Sequence, residues 1–408
     1  MRLVTLNDFN QLSLSAPLVR LLTEFGLTEP TEIQSKVIPL ALAGRDIMAS
    51  AETGSGKTAA FLLPIIEKLQ KRGHTRALIL APTRELANQI DSNAKSYSSA
   101  ARLRTALIVG GESASAQIKA LKSGVDIVIA TPGRLNDLIE RGVVPLKNIE
   151  ILVLDEADRM LDMGFLPQVR RIIKHLPTRR QTMLLSATLS GAVEQLAREL
   201  MKACERVVAA QPAATVATLQ QKAFPVLSHA KLPLVLALLQ QHADGTFLIF
   251  TQTRRGADRL SKVLTSNKFG VATLHSDRNQ SQRNQALASF RSGRARVLVA
   301  TDVAARGIDV DGITFVVNYE VPSTAEDYIH RVGRTARAGR NGSALTLVSP
   351  EEESMLASIE RATGVNLERA KLKGFSDGRS DEQIRLGSEI GRLRSSTARS
   401  FTRSRASR

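Results

Sequence analysis

The sequence predicts an α/β protein of two tandem domains, each a mostly parallel sheet flanked by helices. Three observations carry that expectation. From residue 46 onward, short β-branched apolar runs alternate with helical stretches. A polar cluster stands at the C-terminal end of nearly every run. After a break around Cys204 to Thr218, a second series of the same kind begins without the phosphate loop of the first. Near-continuous apolar strands separated by helices belong to parallel sheets covered on both faces. The length of 408 residues allows two or three domains.

The first segment, to about residue 36, reads as loop and short helix. Pro30 suits a helix start, with Thr28 or Glu29 as the cap. Gln34 is either a solvated helix residue or an amide reading a purine edge, as Asn and Gln do for adenine. The first strand follows at Asp46–Ser50. The loop Ala51-Glu52-Thr53-Gly54-Ser55-Gly56-Lys57-Thr58 comes next, then a helical run from Ala59 to Leu69. A Gly-rich turn of this kind presents backbone N–H groups to phosphate, and the new helix adds its positive end. Lys57 can reach the outer phosphates, and the Thr58 hydroxyl can ligate Mg²⁺. Ala51 stands where the usual P-loop pattern has Gly.

The remaining strands of this series are expected at Arg76–Ala81, Ala106–Val109, Val125–Ala130, Ile151–Leu154 and Met183–Leu185. Their ends carry Pro82–Glu85, Gly110-Gly111, Thr131–Arg134, Asp155–Asp158 and Ser186–Thr188. Ligands of open α/β sheets bind beyond the strand carboxyl ends, so these clusters should converge on one rim. The second series runs Phe247–Phe250, Val271–Leu274, Val297–Ala300, Phe315–Asn318 and Ala344–Val348. Two such domains with one phosphate loop suggest a site in the cleft between them.

Composition narrows the partners. A net charge of +17 points to a polyanion. Aromatics are only 4% and Trp is absent, too few for a single-strand binder built on stacking, so nucleic acid would be held by its backbone. The single Cys204 excludes an internal disulfide and a Cys-based zinc site, which fits a reducing cytosol. Met1–Asp8 has no long apolar core, so no signal peptide is expected, and no run reaches the length of a membrane span. From Arg369 to Arg408 there are 11 Lys/Arg and 4 Asp/Glu, which is +7 of the total +17. This Ser/Arg-rich stretch is expected to be a disordered tail. Its composition suits either sequence-independent nucleic-acid binding or solubility.

Asp155-Glu156 ends an apolar strand, where acids are costly unless they meet a cation. Beside a phosphate loop, Asp155 can hold Mg²⁺ and Glu156 can orient and deprotonate an attacking water. In His330–Arg340, four arginines recur three apart, at 331, 334, 337 and 340. On one helical face they would repel one another, and an uncompensated row suits a polyanion. Arginine fingers reaching a γ-phosphate are the physics of such a row.

Together these residues resemble the DEAD-box ATP-dependent RNA helicases, bacterial type. The resemblance rests on Gly26–Gln34, Ala51–Thr58, Pro82–Leu86, Thr131–Arg134, the literal Asp155-Glu156-Ala157-Asp158 and Ser186–Thr188. In the second half it rests on Gln280 with Arg283, Thr301-Asp302, Ala305–Asp309 and His330–Arg340. It runs from about Phe9 to about residue 365. It implies two RecA-like domains: residues 1–206 with the Q motif, a linker at 207–218, a second domain at 219–368, and the tail at 369–408.

The resemblance also implies roles. Gln34 should read adenine, with Phe9 packing upstream. Ala51 to Thr58 should cradle ATP, and Thr58 and Asp155 should hold Mg²⁺. Lys57, Asp155 and Glu156 should act in hydrolysis with Arg334 and Arg337, and Asp309 should touch the ribose. Thr83, Arg84, Gly111, Thr131, Arg134, Arg283 and Thr301 should line the RNA path through sugar and phosphate. Asp158, Ser186, Thr188 and His330 should couple nucleotide state to closure. A cytoplasmic monomer is expected, with ribosomal or mRNA-decay assemblies as candidate partners. Two positions depart from the family's pattern. Leu27 stands where Phe is usual, so adenine would lose an aromatic neighbour. Ala336 stands where Gly is usual, with little harm expected if that stretch is helical. The rival readings are a DNA-dependent translocase and an RNA clamp or annealing chaperone with weak unwinding.

Overall fold

Apolar strands in which alternate side chains face opposite ways need cover on both sides, and the alternation decides the layering. The computed structural model describes residues 8–51, 54–99, 101–209, 219–305, 312–336 and 341–379. The chain divides into two units, Met1–Gln211 and Pro212–Arg408.

The first unit holds a seven-stranded parallel sheet. Its strands are β1 (Ile47–Ser50), β2 (Ala77–Leu80), β3 (Thr105–Ile108), β4 (Ile127–Ala130), β5 (Ile151–Leu154), β6 (Gln181–Ser186) and β7 (Glu205–Val208). Their order is β3-β4-β2-β5-β6-β1-β7. Ala77, Ile79, Ile151 and Val153 face one core, together with the helices Glu32–Leu42 and Lys57–Leu69. Leu78, Leu80, Leu152 and Leu154 face the other, which includes Met160 and Val193. Each fully buried Leu or Ile contributes about 1.5–3 kcal/mol. A parallel sheet puts every strand's C-terminal end on one rim, so the polar clusters share an edge as expected.

The second unit repeats the plan. Its strands are β8 (Leu219–Pro225), β9 (Phe247–Thr251), β10 (Val271–Leu274), β11 (Val297–Thr301), β12 (Phe315–Asn318), β13 (Gly342–Val348) and β14 (Glu368–Arg369), in the order β10-β11-β9-β12-β13-β8-β14. All described pairs are parallel. Phe247 and Ile249 face one core and Leu248 and Phe250 the other.

Four sequence expectations change. The helix Glu32–Leu42 is capped by Thr31 rather than Thr28 or Glu29, because Gln34 reaches back to the Thr31 N–H at 3.0 Å. Val207 and Val208, assigned to the linker, belong to β7 and pair with Ala49 and Ser50. Residues 210–218 lie outside the described residues. β7, β8 and β14 were not foreseen; two of them are edge strands, and β8 is polar and ends in Pro.

The fourth change concerns the tail's start. Arg369 pairs with Ala223 in the sheet, and its guanidinium bonds Glu360 at 2.6 Å. Ala370, Leu372 and Phe375 pack on the core, and Asp377 accepts the Leu227 N–H at 2.9 Å. Enough apolar and paired polar groups are present for residues 369–379 to continue the domain. Residues 380–408 lie outside the described residues. A chain ending at residue 368 should therefore lose on the order of 2–4 kcal/mol relative to one ending at 379. Thermal melts of the two truncations check this; equal midpoints would mean the segment adds nothing.

Candidate active site

Six of the seven strands in the first sheet carry predicted site residues at the rim. Adjacent β5, β6 and β1 bear Asp155, Ser186 and the phosphate loop, and adjacent β2, β4 and β3 bear Thr83, Thr131 and Gly111. Sheet order thus divides the rim into an expected nucleotide half and a second half beside it.

The nucleotide half is built around the loop. Its Gly54 and Gly56 have φ of +87° and +90°, conformations that L side chains rarely adopt. Lys57 begins the helix Lys57–Leu69, is 7% exposed, and donates to the Ala51 carbonyl at 2.7 Å. Thr31 Oγ1 donates to the Ser55 carbonyl at 2.7 Å, and Gln34 Nε2 to the Gly56 carbonyl at 3.2 Å. Gln34 thus secures the loop with the amide expected to read adenine. One N–H and one lone pair of that amide remain for a base. Phe9 is buried in the adjoining core, and Leu27 packs against the same cluster. Thr58 is half-buried. Glu52 and Thr53 lie outside the described residues.

The three acids after β5 have three different settings. Asp155 is 2% exposed and accepts the Glu156 N–H at 3.0 Å. Burial pushes its carboxyl up to about 7; Lys57 pulls it down, while Glu156 and Asp158 push it further up. Glu156 sits at φ +52°, and its Oε2 pairs with the buried Arg159 guanidinium. Asp158 Oδ2 accepts the Ala187 and Thr188 N–H groups at 3.0 Å each and the Thr188 hydroxyl at 3.2 Å. Ser186 Oγ lies 3.4 Å from the Asp158 N–H as its acceptor. Asp158, Ser186 and Thr188, the residues expected to couple nucleotide state to closure, are therefore in contact.

The donor chemistry fits Mg²⁺. A hydroxyl from Thr58 and a carboxylate from Asp155 are hard oxygens, and Asp155 sits where a cation would offset both burial and two neighbouring acids. Among the described residues no three His, Cys, Asp or Glu side chains form a metal cage. An ion held by one or two side chains and substrate phosphates needs none.

On the second half of the rim, Thr83 caps the helix Arg84–Tyr97 by accepting the Leu86 N–H at 3.3 Å. A Cβ on Gly111 would collide with the Arg84 guanidinium, and φ there is +75°. Arg134 donates to the Glu112 carbonyl and the Gln117 amide at 3.1 and 3.2 Å. Thr131 precedes its helix, Pro132–Glu140. The structure thus brings Arg84, Gly111 and Arg134 together around one loop.

In the second unit, Arg283 lies 3.4 Å from the carbonyls of His275 and Ala304, beside the end of β11 where Thr301 sits. Of the four arginines in the row, Arg331 and Arg334 are among the described residues, and Arg331 is compensated. The helix Ala325–Val332 stops at Gly333. Arg331 is 1% exposed and forms a bidentate pair with Asp302 at 2.6 and 2.7 Å. It also bonds Asn318 and the Glu320 carbonyl, under the Phe250 ring. Arg334 is 4% exposed, with its Nε 3.3 Å from the His330 carbonyl. Asp309 and Arg337 lie outside the described residues.

Ala336 has φ +54°, so the helical expectation there is corrected. The left-handed region disfavours any residue with a Cβ. Ala336→Gly should raise stability by about 0.5–1 kcal/mol, read as a higher melting midpoint. A lower midpoint would show that the Ala methyl gains more from packing than the backbone loses.

Sequence reasoning missed Thr31, Arg159 and the Asp302–Arg331 pair. The spacing Thr31-x-x-Gln34 was a capping signal that could have placed Thr31 at the loop. Nothing in the sequence singled out Arg159.

Asp155 also gives a pH signature. Its carboxyl is at about 7 when folded against an ordinary 3.8. Between those values the unfolded chain has lost a proton that the folded chain keeps, so this contribution falls as pH rises and is whole only below 3.8. Without nucleotide, Asp155→Asn should melt above the parent at pH 8 and level with it near about pH 4. Parallel melting curves at both pH values would show that Asp155 is ionised without cost.

Such a fold and loop define a nucleoside triphosphatase with tandem RecA-like domains. The family described as DEAD/DEAH box helicase matches residues 31–196, and the helicase conserved C-terminal domain matches residues 230–339. The DEAD-box ATP-dependent RNA helicase CshA of Geobacillus kaustophilus is 40% identical over 90% of this chain and 79% of its own length. The ATP-dependent rRNA helicase RRP3 of Candida glabrata is 43% identical over 89% and 74%. Saccharomyces cerevisiae Dbp5 bound to RNA and ADP BeF3 aligns with TM-score 0.80 and 30% identity, covering 94% of this chain and all of that one. Mss116p bound to ssRNA and AMP-PNP aligns with TM-score 0.80 and 27% identity, over 94% and 81%. The chain belongs to the DEAD-box ATP-dependent RNA helicases, enzymes that hydrolyse ATP.

Proposed function

We propose that this protein unwinds short RNA duplexes locally or remodels RNA–protein complexes, using ATP hydrolysis to drive closure of its two units around RNA. The observation that supports this most is the shared rim. Residues for phosphate chemistry lie on three adjacent strands, and the Thr83, Arg84, Gly111, Thr131 and Arg134 group lies on the three beside them.

Lys57 and the loop amides hold the outer phosphates, and Gln34 with Phe9 supports the adenine end. Thr58 and Asp155 would hold Mg²⁺, which would supply positive charge against the phosphates. Glu156 orients the attacking water and accepts its proton. Arg334 and Arg337 stabilise the charge that develops on the transferred phosphoryl group. Asp158 passes the state of the acid strand to Ser186–Thr188, and His330 serves the same coupling from the second unit. Asp309 contacts the ribose. Arg283 and Thr301 extend the RNA path, whose contacts run to sugar and phosphate and favour RNA over DNA through the 2′-OH. ATP and RNA each favour the closed state, so each strengthens binding of the other. A cytoplasmic monomer acting on ribosomal or mRNA-decay assemblies is consistent with this reading. Among the described residues, no helix is long and apolar enough to cross a membrane.

The test is ATP turnover with single-stranded RNA and then with DNA, followed by strand displacement on a short RNA duplex. RNA should stimulate turnover and DNA should not; equal stimulation points to a DNA translocase. Turnover without strand displacement points to an RNA clamp or annealing chaperone. Glu156→Gln keeps the shape and removes the base, so turnover should fall more than about a hundredfold with ATP and RNA still bound. Near-normal turnover in that variant would remove Glu156 from the mechanism.

A further inference from the structure

The scheme above leaves one charged residue of the nucleotide half without a task. Arg159 is among the largest fully buried side chains of the protein, at 2% exposure. Its guanidinium pairs with Glu156 Oε2, whose side chain is itself only 11% exposed. Removing an arginine from water is expensive, and an apolar residue at the same place in a core is often at least as stabilising. Its presence beside the candidate base calls for a reason in the chemistry.

The backbone is arranged to make that contact. Glu156 takes a left-handed conformation at φ +52°, uncommon for a residue with a Cβ, and so stands as the residue just before the helix Ala157–Asp162. Three residues on, Arg159 lies in the first turn of that helix. Its N–H bonds Asp158 Oδ1 at 2.9 Å, and its carbonyl accepts the Met163 N–H at 3.0 Å. The next residue, Met160, is in the apolar core. Arg159 is therefore a fixed post, whereas a glutamate side chain by itself has three free torsions.

We propose that Arg159 is a positioning residue for water activation. It anchors one carboxylate oxygen of Glu156 and so fixes the orientation in which that carboxylate meets the attacking water. The proton from water passes to Glu156, and Arg159 neither gives nor takes one. Orientation of a base by a third, buried, charged partner is a general device, because a misaligned base loses most of its effect. The inference rests on the reading of Glu156 as the base, and the test separates the two.

Turnover at saturating RNA is measured for the full chain and for Arg159→Met, Arg159→Gln, Arg159→Lys, Glu156→Gln and the double variants of Met and Gln with Glu156→Gln. Thermal melts identify which neutral variant stays folded at the assay temperature. That variant should lower kcat by about tenfold or more, with KM for ATP and RNA affinity changed by less than about twofold. Arg159→Lys, which keeps a point charge, should recover part of the loss. In the Glu156→Gln background the same neutral change should cost less than about twofold, since its target is gone. An equal loss in both backgrounds overturns the proposal, as does a rise in KM and a fall in RNA affinity matching the fall in kcat. If Glu156→Gln alone turns over normally, the base reading itself has failed, and Arg159 has no base to position.

Discussion

Three carboxylates stand within four residues after β5, in a place with little water. They coexist because each has a different partner. Asp158 is neutralised by hydrogen bonds, its oxygens taking up the amides of Arg159, Ala187 and Thr188. Glu156 is neutralised by charge, through Arg159. Asp155 is buried, and the charge of Lys57 does not offset that burial, so its carboxyl is pushed up. An acid left short of positive charge inside a protein is unfavourable for folding and favourable for binding a cation. The same imbalance lowers the stability of the protein while no cation is bound, and any cation that binds there would offset it. The partition of partners among the three acids thus sets both how the strand end folds and what it can bind.

The partition depends on the sheet. Asp158 reaches Ala187 and Thr188 because β5 and β6 are neighbours, in register from Ile151↔Gln181. The loop after β1 closes on the same strand pair, since Ser50 lies opposite Ser186 and the Ala51 N–H bonds the Ser186 carbonyl at 3.2 Å. A shift of one residue in either pairing would turn the rim side chains away and break these bonds. The layering of apolar residues on both faces of these three strands holds that register: Ala49, Val153 and Met183 face one core, and Met48, Leu152 and Leu184 the other.

The sequence made the central strands legible because they are buried on both faces and so are apolar throughout. It concealed β7, β8 and β14 because these strands carry polar residues, as Lys222 and Glu368 show by pairing at 3.6 Å. The phosphate loop, Asp155 and Glu156 were legible because residue type and spacing are set directly by phosphate and cation chemistry. Thr31 and Arg159 were not, because each acts by holding another residue, and such support comes from packing between segments that no local pattern reports. Arg369 was misread for a related reason. Composition after it is polar and basic, yet Ala370, Leu372 and Phe375 pack on the core and Arg369 and Asp377 find partners in the domain.

The arginines of the second unit show how far a periodic pattern can mislead. Spacing of three suggested one face, turned to a triphosphate or to a nucleic-acid backbone. The helix ends at Gly333, so the residues before and after it obey different geometry. Arg331 is consumed within the domain, where Asp302, Asn318 and the Glu320 carbonyl satisfy its fork and Phe250 covers its plane. That pairing has its own consequence for function. Asp302 follows Thr301, a predicted RNA contact, and Arg331 follows His330, a predicted coupling residue. A rigid bidentate bridge between those two neighbours ties the end of β11 to the last turn of the helix Ala325–Val332. Breaking that bridge would leave Arg331, itself 1% exposed, as an uncompensated buried charge.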